Sequence, residues 1–110
     1  MMSWTDKLRY TRDVLKYCAE RVYHYRKAPD AAKPYIIWYE DGESSSFSAD
    51  NAKKEQTMHG YVHLYTKTEF DPLTDDIQDA LQQNGIGWSL NACQYEEETE
   101  TIHYEWEIWI

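Results

Sequence analysis

The chain has 110 residues, a formal net charge of −9 and an aromatic content of 15 %. That length supports a single domain, residues 1–110, with its own core and no need of a metal or disulfide staple, and the aromatic content excludes a disordered chain. The excess of acid over base excludes a general binder of the nucleic-acid backbone, which needs clustered lysine and arginine.

In chain order, Ser3 followed by Asp6 predicts a capped helix start. Trp4, Leu8, Thr11, Leu15 and Cys18 then recur at helical spacing along one face. We place this helix at about 4–19. The run Val22-Tyr23-His24-Tyr25 suits a strand, at about 21–27. Pro29 and Pro34 bound the loop after it.

Tyr35-Ile36-Ile37-Trp38-Tyr39 predicts a strand at about 35–41. It is also the longest apolar run, at five residues, so the sequence predicts no membrane-spanning helix, and no signal-peptide pattern opens it. A polar loop follows, and residues 55–66 return as a strand. There Met58, Gly60, Val62 and Leu64 alternate with His59, Tyr61, His63 and Tyr65, the period of a strand with one face in the core.

Asp71 as cap, Pro72 at the first helical position, and the stripe Leu73, Ile77, Leu81 predict a second helix at about 72–84, stopped by Gly85 in a left-handed conformation. Two strands close the chain. Residues 87–95 carry Trp88, Leu90 and Ala92 on one face. Residues 101–110 carry Ile102, Tyr104, Trp106, Ile108 and Ile110 on one face and His103, Glu105, Glu107 and Trp109 on the other. The glutamates of residues 96–100 mark a solvated hairpin turn. The fold predicted is α+β: a largely antiparallel or mixed sheet of four to five strands with two helices packed on it.

Little in the sequence points to reaction chemistry. His59 and His63 have a metal-ligand spacing only on a helix; on a strand, four residues span about 13 Å, too far for one ion. Ser44-Ser45-Ser46 lacks a nucleophile context, and no glycine loop opens a helix to cradle phosphate. Cys18 and Cys93 sit among apolar neighbours, which predicts buried free thiols in a reducing compartment. The sequence therefore predicts no enzyme, and no catalytic, cofactor or metal site. What remains is surface: Phe47 in a polar loop, and Tyr61, Tyr65 and Trp109 on the wetter faces of their strands, residue types that anchor protein contacts.

Three stretches resemble a known family: Pro34-Tyr35-Ile36-Ile37-Trp38, then Phe47-Ser48-Ala49-Asp50-Asn51, then Tyr61-Val62-His63-Leu64-Tyr65-Thr66-Lys67. They are similar to the small tail-completion and tail-terminator proteins of long-tailed bacteriophages and prophages of Gram-positive hosts. That group combines an aromatic strand, a loop close to F-x-A-D-N and a strand ending close to L-Y-T. A helix ending in N-G-I, here Asn84-Gly85-Ile86, and a glutamate-rich hairpin before an aromatic strand complete the pattern, so the resemblance covers residues 34–110. It departs in a longer N-terminal helix and in its richness in tryptophan.

The resemblance implies an α+β structural protein of the virion that assembles with itself into a ring, often of six subunits, at the head-tail junction. It would meet the tail tube and the connector, first in the bacterial cytoplasm and then in the virion tail, without specific nucleic-acid or membrane binding. It adds Asp50 and Asn51 to the candidate subunit contacts. Two other readings stay open: another head-tail connector or minor structural protein, and an acidic inhibitor that mimics DNA.

Overall fold

The computed structural model describes residues 2–44 and 56–110. It contains two helices and a five-stranded mixed sheet, an α+β fold that is not closed into a barrel. The helices are α1 (Trp4–Cys18) and α2 (Leu73–Gln83). The strands are β1 (Val22–His24), β2 (Tyr35–Glu43), β3 (Met58–Thr66), β4 (Gly87–Glu96) and β5 (Thr101–Trp109), arranged β1-β2-β3-β5-β4. β1 runs parallel to β2 and every other pair is antiparallel.

α1 begins as expected. The Asp6 amide donates to Ser3 Oγ at 3.1 Å while the Ser3 amide donates to Asp6 Oδ2 at 3.4 Å, so two orphaned donors are satisfied reciprocally. α2 begins one residue later than the sequence predicts. Pro72 occupies the cap position, and Asp71 reaches in from before it: Oδ1 accepts from the Leu73 amide at 2.9 Å and Oδ2 from the Thr66 hydroxyl at 2.6 Å. Asp71 thus ties the helix start to the end of β3. Gly85, at φ +70°, takes the left-handed conformation expected of it.

β1 is shorter than expected. Tyr25 adopts φ +75°, which a strand cannot continue through, and its ring and His24 turn toward Glu40. β2 runs past its expected end, with a bulge between Glu40 and Gly42.

Both helices lie on one face of the sheet. Leu15, Ile77 and Leu81 meet Ile36, Trp38, Val62, Leu64, Trp106 and Ile108 in a single core. Burying Ile77 and Leu81 contributes about 3 to 6 kcal/mol before conformational entropy is counted, as an upper figure. Trp106 is fully buried, and its indole N–H donates to Gln78 Oε1 at 3.0 Å, which ties α2 to β5.

The faces of β4 differ from expectation. A register shift between Leu90 and Ala92 carries Ala92 opposite Glu105 and Cys93 opposite Tyr104. The helix side is therefore Trp88, Leu90 and Cys93, and Ala92 moves to the other side. A bulge residue, Asn91, is invisible to a strict period of two. The thiols also differ from expectation: both are free, but Cys93 is exposed and Cys18 half-buried. Cys93 sits on an edge strand, outside the shelter of α2.

Candidate functional site

The face of the sheet opposite the helices is the molecule's most distinctive surface. No described element covers it. Strand alternation delivers to it Tyr23, Tyr35, Ile37 and Tyr39 from β1 and β2, then His59, Tyr61, His63 and Tyr65 from β3. His103, Glu105, Glu107 and Trp109 arrive from β5. None of the five strands contains a lysine or an arginine.

Cross-strand stacking orders these rings. Tyr65 lies between Tyr35, at 5.1 Å, and His103, at 4.3 Å, both stacked. Tyr39 stacks on His63 at 5.5 Å and its hydroxyl lies 3.1 Å from His63 Nε2. Desolvation, followed by the facing His103, lowers the pKa of His63, and desolvation lowers that of His103 against the opposing pull of Glu96 and Glu105. Burial likewise raises the pKa of Tyr39, so its hydroxyl keeps its proton.

His59 has the opposite environment. Its Nδ1 lies 2.6 Å from Asp41 Oδ1 and its Nε2 3.1 Å from Glu107 Oε2. The Asp41 hydrogen bond raises its pKa against the cost of burial, and Glu107 adds to the rise. A protonated His59 donates from both nitrogens and joins β2 to β5 across β3. His59 and His63 share one face of β3 but turn to different partners.

Of the expected contact residues, Tyr61, Tyr65 and Trp109 come together on this face, on adjacent strands. Their availability differs. Tyr65 is already sandwiched between two rings, whereas Tyr61 meets Tyr39 and His59 only obliquely. Trp109 lies over Gly87 of β4, where its indole fills the place a side chain would take. It remains 38 % exposed. Phe47, Asp50 and Asn51 lie outside the described residues.

Sequence reasoning placed His103 and Glu107 on the wetter face of β5 but missed Tyr35, Tyr39 and Asp41 as parts of this surface. The alternation of Tyr35, Ile37 and Tyr39 was the available signal, masked by an unbroken apolar run that reads equally well as buried on both faces.

Elsewhere, a groove of about 690 Å³ on the helix side runs beside the β4–β5 hairpin, between Phe70, Cys93, Tyr95, Ile102 and Tyr104. Phe70 is 88 % exposed and has φ +58°, a conformation that bulky side chains rarely adopt. Lys67, Glu69, Gln94 and Glu100 add polar and charged groups to its lining. Among the described residues no helix is long and apolar enough to cross a membrane. No protein-family model matches the chain, and a search of curated proteins returns no significant match.

Proposed function

We propose that the chain is a structural protein of a bacteriophage or prophage tail, a tail terminator that works by assembling with copies of itself at the head-tail junction. The observation that supports this reading best is the open sheet face. It is broad, lined by tyrosine, histidine and tryptophan, and left uncovered by the described elements. Tyrosine and tryptophan offer contact area at low conformational cost and are enriched where proteins meet. The tail role itself comes from the aromatic strand, the F-x-A-D-N loop and the L-Y-T ending that the sequence shares with terminator proteins.

The charge is consistent with that role. A ring through which DNA passes must not hold it, and a net charge of −9 with no lysine or arginine on any strand repels the phosphate backbone. The DNA-mimic reading is less well supported. A mimic presents free carboxylates in regular order, whereas Asp41 and Glu107 on this face are both bound to His59.

Native mass spectrometry of the purified protein, alone and with tail-tube subunits, tests the reading. Closed assemblies larger than a dimer of the 13.2 kDa chain support it. A strict monomer that also ignores tube subunits overturns it.

A further inference from the structure

The two edges of the sheet are unlike. One is β1, three residues long. The other is β4, ten residues long and exposed over most of its length. A long open edge carries a row of unpaired backbone donors and acceptors, and proteins that stay single blunt such edges with charge, proline, brevity or a bulge. β1 is blunted by brevity. β4 has the bulge at Asn91 and one charge at its end, Glu96, but no proline and no charge from Gly87 to Tyr95.

Its composition departs from the rest of the chain. Residues 80–95 contain no charged side chain, the longest such run in a sequence that is 28 % charged. They include all of β4 up to Tyr95. Leu90 and Tyr95 are 43 % and 61 % exposed, and Phe70 stands beside them at the rim of the adjoining groove. The strand that should most need protection from pairing is thus the one left neutral and partly apolar.

We infer that β4 is an interface at which two copies of this chain pair edge to edge, antiparallel, to join their sheets into one of ten strands. Three observations select a second copy as occupant. Repulsion between two chains of charge −9 is weakest where charge is missing, and residues 80–95 carry none. Among the described residues the sheet has one other edge, β1, which is too short to ladder along β4, whereas β4 matches itself in length. Antiparallel pairing also sends the glutamate-rich hairpin tips, residues 96–100, to opposite ends of the joint sheet; a parallel pairing would stack them. The contact is a two-fold one, with the same residues contributed from both sides.

This inference stands apart from the tail reading. A two-fold contact closes on itself, while a head-to-tail ring needs a second surface.

Sedimentation velocity of the full chain tests it, with a double variant Leu90→Lys, Gln94→Lys for comparison. The expected result is a dimer, weakened at least about tenfold by charge placed on both sides of the joint. A Cys18→Ser protein provides a check that needs no disturbance of the edge. Its remaining thiol, Cys93, is exposed near the middle of β4, and a short bismaleimide should link two copies through it. A wild-type protein that stays monomeric at high concentration overturns the inference. So does a dimer that the two lysines leave unchanged, or one in which Cys93 does not cross-link.

Discussion

His63 and His103 share a hydrogen bond across β3 and β5, with Nδ1 of one 2.8 Å from Nε2 of the other. The contact holds one proton between the rings, donated by one nitrogen and accepted by the other. Both rings are then neutral, which suits their crowded, partly desolvated positions. Protonating both rings would leave two donors facing each other and set two cations in contact.

That relationship fixes a pH dependence. Both histidines titrate below their ordinary value in the folded chain, so below about pH 6.5 the unfolded chain binds more protons. Their contribution to stability is whole above about 6.5 and is lost as pH falls through the depressed folded values. His59, titrating above its ordinary value, acts in the other direction: its contribution is present below about 6.5 and lost as pH rises through its raised folded value. Thermal unfolding measured at several pH values should show the wild type losing Tm more steeply below pH 6.5 than His103→Gln. Parallel curves would contradict the assignment of neutral rings.

Gly60 allows β2 to approach β3 at the point where β2 bulges. A methyl group there would lie 2.4 Å from the Tyr39 carbonyl oxygen and 3.0 Å from Glu40 Cα, both backbone atoms that cannot swing aside. Gly60→Ala should destabilise the fold by about 1–3 kcal/mol, read by urea denaturation. An unchanged midpoint would show that the strands have room to move apart.

Gly87 presents a different case, because the atoms crowding it belong to a side chain. A methyl group would displace the Trp109 indole from its seat, at a cost of about 1 kcal/mol, since the ring can turn outward. Gly87→Ala should shift tryptophan fluorescence to longer wavelength as Trp109 enters water. Emission identical to the wild type would mean that the indole does not rest there.

The Ser3 cap is the most local of the stabilising contacts. Ser3→Ala removes the acceptor for the Asp6 amide and should cost about 0.5–2 kcal/mol, seen as a lowered Tm with unchanged far-ultraviolet circular dichroism at low temperature. Retention of the wild-type Tm would show that water replaces the hydroxyl without loss.

Most of this architecture was legible in the sequence because the signals were local. The Ser3–Asp6 box, the stripe of Leu73, Ile77 and Leu81, the left-handed Gly85 and the alternation in β3 and β5 each act within a few residues. The misses have non-local causes. Asn91 bulges out of β4, which no alternation count reveals, and this moved Ala92 and Cys93 to faces opposite to those expected. Tyr25 ended β1 early by turning toward Glu40, fifteen residues away. The open face was visible only in part, because its order comes from pairings such as Tyr35 with Tyr65 and Tyr65 with His103, and those depend on strand order. Nothing in the residues alone places β5 between β3 and β4.

On the proposed function, the chain caps a tail tube with copies of itself. Electron microscopy of polymerising tail-tube subunits, with and without the protein, tests this most directly. Tubes capped by a ring of density and arrested at shorter length are expected if copies of the chain end tube growth. Tubes of unaltered length with bare ends, at protein concentrations well above that of the tube ends, would contradict it.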